Sequence, residues 1–336
     1  MAIAVTYHSD LKEVQSDAHL AALLDDRAQS APFDRLAWWQ GLEAHCGMTP
    51  WLAVARAGAA VAVLPLARRE GRIEALTNWY SFRFRPIVTP DADTAALFAA
   101  IAGDLPRHAG RIALNGLPRA DAEALAAAFR SAGWFAQSAA CDNNHILHVN
   151  GRSYADYLAA RPGPLRTTLK RKASKVTCTI HTRFDRQAWT DYESIYAESW
   201  KPEEGSPAFL RAFAEAEGAA GRLRLGVAHA AGEAVAAQFW TVEGGTAFIH
   251  KLAHREAAKP LSPGTSLSAA LFAQVIDRDR VALVDFGTGD DGYKRDWMEE
   301  VRQRYRLDLV RPLRPANWPY LAKRTFSRLA ARAQRG

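Results

Sequence analysis

The stretch LRLGVAHAAGEAVAAQFWTVEGGTAFIHKLAHR (223–255) holds three apolar runs parted by the turn signals AAGE and EGG, a pattern that commits the middle of the chain to an antiparallel meander. Upstream, KVTCTIHTRF (175–184) reads as a strand. Two helices are expected after it, over about 188–199, with Trp189, Tyr192, Ile195 and Tyr196 at helical spacing, and over about 207–217, opened by Pro207 and closed by Gly218. Downstream, a helix over about 265–278 aligns Leu267, Leu271, Val275 and Ile276 on one face, and the strand VALVDF follows. From that strand leaves DFGTGDDGYKRDWM (285–298). Its Asp-Phe-Gly triplet lacks the Gly-rich loop, the strand lysine and the H-R-D catalytic loop of a kinase, and the acidic alternation of a calcium loop is missing too.

The first half of the chain repeats this order. Helices are expected over about 17–28 and 34–45, strands at 51–57, 60–67 and 72–77, a helix at 93–102, the strand RIALNGL, a helix at 119–131, and strand-like residues to about 149. The turn VNGRS around Asn150-Gly151 sets the expected boundary, giving a first half 1–150, a catalytic half 151–312 and a basic amphipathic tail 313–336. At 336 residues and 49% hydrophobic, the chain has material for two such units. Cys46, Cys141 and Cys178 have no CxxC spacing, which argues for buried free thiols and against disulfides or structural zinc.

The order strand, helix, helix, three antiparallel strands, helix, strand, helix is that of the GNAT acyltransferase fold. The run from Trp200 to Trp297, with SWKPEEGSPAF, FIHKLAH, SPGTSL and DFGTGDDGYKRDW, resembles the CelD/BcsL group of GNAT-like acyltransferases, whose hallmark is D-[FY]-x-x-G-[DE]-x-x-Y-K-x-x-W. The resemblance covers roughly residues 150 to 310 and implies an α+β protein of two tandem GNAT-like (acyl-CoA N-acyltransferase) domains, each a mixed, mostly antiparallel sheet flanked by helices. It implies transfer of an acyl group from acyl-CoA or an acyl carrier protein thioester to an amine or hydroxyl, with no tightly bound cofactor and no metal. A sphingoid or other long-chain base, as in bacterial GNAT-type ceramide synthases, and an amino sugar are the acceptors in view. FemABX transferases, which draw on aminoacyl-tRNA, double the same fold and supply the alternative activity. A third reading is a non-catalytic lipid- or polysaccharide-binding protein of this fold. The usual GNAT pyrophosphate signature, Q/R-x-x-G-x-G/A, is replaced here by SPGT.

Acyl transfer needs a neutral amine, a partner for the developing oxyanion and a route for the proton. Lys294 is the candidate for oxyanion or phosphate stabilisation, Tyr293 for protonating the departing thiolate, and Asp290 and Asp291 for receiving the amine's proton, with His250 as a second base. Asp285 is placed to orient the loop by accepting its N–H groups, and Gly287, Gly289 and Gly292 to let it turn sharply. For the donor, Ser262, Gly264, Thr265 and Ser266 offer a helix N-terminus to phosphate, and Gln238 an amide partner for the pantetheine arm. Trp200, Lys201 and Trp297 are the further substrate-binding candidates. The plain alternatives are a surface lysine, a satisfied strand histidine and packed aromatic rings.

The net charge of +7 gathers in LRTTLKRKASKV (165–176) and in the tail. In the first, Leu165, Leu169, Ala173 and Val176 oppose Arg166, Lys170, Arg171, Lys172 and Lys175; in the second, Trp318, Leu321, Ala322, Phe326 and Leu329 oppose Arg324, Arg328 and Arg332. Both suit an anionic membrane surface, or tRNA phosphates under the alternative. With no long apolar run and no basic-then-apolar leader at the N-terminus, a cytoplasmic protein, peripheral on the inner membrane, is expected.

Overall fold

In the meander both hairpin turns put two consecutive residues at positive φ, Ala231 and Gly232 in one and Gly244 and Gly245 in the other. That is the geometry matching the right-handed twist of the flanking strands. The computed structural model describes residues 2–323 and arranges them around one sheet. Its first half runs β1 (Ala4–His8), α1 (Leu11–Ser16), α2 (Ala18–Leu23), α3 (Leu36–Cys46), β2 (Thr49–Ala57), β3 (Ala60–Arg69), β4 (Arg72–Ala75), β5 (Ile87–Val88), α4 (Thr94–Asp104), β6 (Arg111–Leu117), α5 (Arg119–Ser131) and β7 (Phe135–His148). The second continues with α6 (Tyr154–Ala159), α7 (Gly163–Lys172), β8 (Thr177–His181), α8 (Arg186–Ala197), α9 (Pro207–Ala219), β9 (Leu223–Ala230), β10 (Glu233–Glu243), β11 (Thr246–His254), α10 (Pro263–Ala273), β12 (Leu283–Thr288), α11 (Lys294–Trp297) and β13 (Glu300–Val310).

The strand order is β1-β2-β3-β4-β6-β13-β7-β12-β11-β10-β9-β8, with β5 beside β3. The two halves exchange strands at the centre. β13, the last of the described strands, pairs antiparallel with β6 of the first half, while β7 pairs with both β13 and β12. One apolar cluster, with Trp38, Trp39, Phe209 and Phe239, draws on both halves. Two others lie within one half each, apart from the exchanged strands.

Several elements differ from the sequence reading. β1 and β13 are strands absent from the sequence reading, and of the expected helix at 17–28 only Ala18–Leu23 forms, preceded by a separate short helix at Leu11–Ser16. Asp17 ends α1 and caps α2, its carboxylate accepting from the backbone of His19 and Leu20 at 3.0 and 3.1 Å. α11 is a single turn, and α10 ends in a π-helical turn over Gln274–Arg278. Cys141 is exposed and Cys46 and Cys178 are half-buried, so the thiols are free but not all interior. The apolar stripe of α7 is not available to lipid: Leu165, Leu169 and Val176 pack into the second half's core, leaving Arg166, Lys170, Arg171 and Lys175 in solvent. Of the tail, residues 324–336, including Arg324, Phe326, Arg328, Leu329 and Arg332, lie outside the described residues. No described helix is long and apolar enough to cross a membrane.

Candidate active site

Sheet geometry creates the site. β11 and β12 run parallel for only three residue pairs, Thr246–Phe248 with Leu283–Asp285, and then part. On its other edge β11 carries a bulge at His250, where the pairing with β10 steps from Lys251 opposite Phe239 to Ile249 opposite Trp240. A cleft of about 260 Å³ opens in the splay. Lys201, His250, Lys251, Asp291, Tyr293 and Lys294 line it, together with Trp79 and Phe82 from the first half. Five residues singled out in the sequence, Lys201, His250, Asp291, Tyr293 and Lys294, therefore meet in one place.

Lys294 is only 5% exposed. Its ammonium donates to the carbonyl of Thr288 and, at 3.4 Å, to that of Gly289, while Phe286 presents a ring face 5.4 Å away. Among the described residues it forms no ion pair. Burial pushes its pKa down, opposed by the more distant Asp291, Asp142, Asp285 and Asp290. Lys201 and Lys251 are depressed by burial as well, with Lys251 held against Glu204 at 2.9 Å. The cleft is thus a focused positive field in a partly dry setting.

The loop that carries Lys294 is fixed from below. Asp285 is buried, and its Oδ1 accepts from Gly287 N at 2.8 Å and from Asn144 Nδ2 at 2.6 Å. Its work is to orient the loop, and it does not line the cleft. Gly287 and Gly289 take φ of 66° and 94°, and a Cβ on Gly287 would meet the Phe82 ring at 2.9 Å, so glycine is required there; Gly292 needs no such freedom.

Other candidates are corrected by their surroundings. His250 lies among Phe82, Phe213 and Phe239, its Nε2 2.8 Å from Thr241 Oγ1, and burial lowers its pKa to about 3. It is too weak a base for an ammonium. Asp290 points outward into an ion pair with Arg295 at 2.9 Å and contacts His145 at 3.1 Å; the Arg295 hydrogen bonds hold its pKa below the ordinary carboxylate value. Gln238 is buried and donates to Gly264 O and Ser268 Oγ while accepting from Trp240 Nε1, leaving nothing for a pantetheine amide. Trp297 stacks on Phe272 in the core, with centroids 4.9 Å apart. Trp200 is half-exposed outside the cleft lining, its ring 4.4 Å from His254.

The N-terminus of α10 is the other feature the sequence singled out. Ser262 is its N-cap at φ 51°, with no side-chain cap, and Pro263 follows, so the N–H groups of Gly264 and Thr265 open the helix unsupported by a capping side chain. Ser266 instead spends its hydroxyl on Ser262 O at 3.4 Å. Lys172, at the basic end of α7, donates to Ser262 Oγ at 3.0 Å and adds a cation. A Cβ on Gly264 would find only His254 Cδ2, at 3.5 Å, an ordinary contact. His254 in turn touches Trp200, the chain neighbour of the cleft residue Lys201.

Sequence reasoning missed Lys251, Glu204 and the first-half contributors Trp79 and Phe82. Lys251 follows His250 directly, and the bulge lets both line the cleft. The first-half residues sit in the polar-aromatic run TNWYSFRF, which has no helical or strand period to draw attention. Among the described residues no cluster of His, Cys, Asp and Glu could hold a metal.

Residues 158–295 match the family model for an acetyltransferase (GNAT) domain. Among solved structures, the C-terminal domain (DUF2156) of a putative lysylphosphatidylglycerol synthetase from Agrobacterium fabrum is similar with a TM-score of 0.58 at 12% identity, over 89% of this chain and 92% of that one. FemX matches at 0.57 and 11%, over 92% and 97%. A tandem GNAT protein from the clavulanic acid biosynthesis pathway matches at 0.53 and 13%, over 91% and 98%. No curated protein matches the sequence. The α+β architecture is therefore the GNAT fold in tandem, and its second half carries the acetyltransferase (GNAT) domain match.

Proposed function

We propose that the protein is an N-acyltransferase of the CelD/BcsL type, which moves an acyl group from acyl-CoA or an acyl carrier protein thioester to an amine, with residues 151–312 as the catalytic half. The convergence of Lys201, Lys251 and Lys294 with Asp291 in the cleft between β11 and β12 carries this reading. An ammonium entering a field of three lysines loses its proton more readily than in water, because like charge disfavours the charged form. Asp291, on the cleft wall, accepts that proton. The neutral amine then attacks the thioester carbonyl carbon, the C=O electrons move onto oxygen, and Lys294 faces the oxyanion from a pocket where water does not compete. Collapse breaks the C–S bond. The thiolate leaves and takes the proton held by Asp291, and the freed Asp291 carboxylate then accepts the second proton from the amide nitrogen and releases it to water. Tyr293, its pKa raised by burial, keeps its own proton and serves the sulfur as a hydrogen-bond donor.

The donor's phosphates are assigned to the α10 N-terminus with Lys172, where backbone N–H groups and an ammonium meet. A neighbouring pocket of about 420 Å³ between α8 and α9, lined by Trp189, Tyr192, Tyr196 and Leu210, shares Tyr196, Lys201 and Pro202 with the cleft. Its aromatic wall suits an apolar tail and Glu193, Glu203 and Glu204, which also line it, suit a cationic amine, which together favour a long-chain amine over an amino sugar as acceptor. The exposed basic face of α7 would bring the enzyme to an anionic membrane holding such an acceptor. Acyl transfer from a ladder of acyl-CoAs to sphingoid bases, long-chain amines and amino sugars tests the reading. Consumption of aminoacyl-tRNA with no amine acylated by any thioester would instead establish the FemABX-like activity.

A further inference from the structure

Where β6, β13 and the start of α5 meet, on the first-half side of the exchanged strands, a cavity of about 560 Å³ is lined by Arg83, Arg85, Arg119, Arg302 and Arg304. Asp121 is the single carboxylate among its lining residues. Gathering five guanidiniums on one cavity wall has a cost, since like charges repel and all but the largely exposed Arg119 are desolvated in part.

The arginines differ in what holds them. Arg85 pairs with Asp121 at 2.7 Å, Arg83 with Asp34 at 2.5 Å and Arg119 with Glu123 at 2.8 Å. Arg304 is only 4% exposed and forms no ion pair among the described residues; it donates to Phe82 O at 3.2 Å and to Asn144 Oδ1 at 2.7 Å, both neutral acceptors. Burial lowers its pKa to about 10, and Arg302 and Arg83 push it the same way. Arg302 reaches Asn144 and Asp285, yet its Nε is buried with no partner. The first turn of α5 borders the same cavity, and its N-cap, Pro118, supplies no side-chain cap. Uncapped helix N–H groups, a buried guanidinium without a counter-charge and a buried donor without an acceptor thus converge on one space.

We propose that this arginine cavity is a second binding site, distinct from the acyl-transfer cleft, for a phosphate-bearing ligand. Several phosphate oxygens can take up these donors in the bidentate geometry that guanidinium favours. The volume admits a pyrophosphate with part of the molecule that carries it. Arg302 and Arg304 both bond Asn144, which bonds Asp285, which holds Gly287 in the cleft wall. Occupancy of the cavity is therefore felt at the loop that carries Lys294.

The test is isothermal titration of the full chain with inorganic pyrophosphate. Arg85→Gln and Arg119→Gln alter partly exposed rim positions, and each is expected to weaken binding about tenfold, the loss of one charge-assisted contact. Asp121→Asn removes the opposing carboxylate and frees Arg85, so binding is expected to tighten, a gain that a merely structural role for Asp121 does not produce. The titrations are repeated in a Gly264→Asp background, which removes pyrophosphate held at the donor's phosphate site, and the losses on Arg85→Gln and Arg119→Gln are expected to persist there. Phosphatidylglycerol vesicles that displace pyrophosphate identify a lipid headgroup as the source, and vesicles without effect a soluble phosphate ester. No binding to the wild type, or binding unmoved by all three cavity variants, overturns the proposal. A loss on Gly264→Asp alone also overturns it, by placing the pyrophosphate at α10.

Discussion

Asn144 Nδ2 donates to Asp285 Oδ1 at 2.6 Å across 141 residues of sequence, and Asn144 Oδ1 accepts from Arg304 at 2.7 Å. One buried amide therefore ties β7 to β12 and β13 at the point where the halves exchange strands. Asn144→Ala leaves a buried carboxylate and a buried guanidinium each short of a partner. A loss of about 2–4 kcal/mol is expected in urea unfolding, well above a surface substitution. A change under 0.5 kcal/mol, the range of surface substitutions, would show the network to be dispensable.

Gly287→Ala faces two obstacles, a φ of 66° and collision with the Phe82 ring. The expected cost is roughly 1–3 kcal/mol, together with a loss of turnover because the loop bearing Lys294 moves. Gly292→Ala, at negative φ with open space around its Cβ, is the control and should behave as wild type in both assays.

Stability should also respond to the four buried or half-buried charges of Arg35, Glu217, Arg222 and Glu243 between the halves. Burial raises the Glu243 carboxyl from its ordinary 4.5 to about 7 against the pull of both arginines. The folded state then holds a proton that the unfolded chain releases, so this contribution is complete below about pH 4.5 and lost as pH rises through about 7. Urea midpoints at pH 5 and pH 8 should differ less in Glu243→Gln than in the wild type. An unchanged difference would place the titration elsewhere.

How much of this was legible from residues alone follows from their periods. The turn pairs at 231–232 and 244–245 and the segment 285–298 stand out because turn chemistry and strand ends are local, and they located the cleft. β13 does alternate, with Val301, Tyr305, Leu307 and Leu309 against Arg302, Arg304, Arg306 and Asp308; what the pattern hides is its place, because Arg302 and Arg304, on the face such a pattern gives to solvent, serve the buried network at Asn144. The fates of Gln238, Trp297 and Asp290 were equally hidden. Each depends on a neighbour brought in by tertiary packing or by a loop's direction, Ser268 for the first, Phe272 for the second and Arg295 for the third.

Lys294→Met preserves length and apolar packing while removing the charge. Turnover is expected to fall about 10²–10³-fold, the usual cost of deleting one oxyanion partner, with unfolding little changed because the buried ammonium already stands without a paired carboxylate. His250→Asn, by contrast, should keep most of the activity and lose packing stability. The reverse pattern would make His250 the base and Lys294 structural.

The most direct measurement is transfer of a radiolabelled acyl group from acyl-CoA to a long-chain amine by the wild type, Lys294→Met and Gly264→Asp, with CoA binding followed calorimetrically in each. Expected are transfer by the wild type, binding without transfer in Lys294→Met, and loss of both in Gly264→Asp. CoA that binds Gly264→Asp as well as the wild type, or transfer that survives Lys294→Met undiminished, would contradict that expectation.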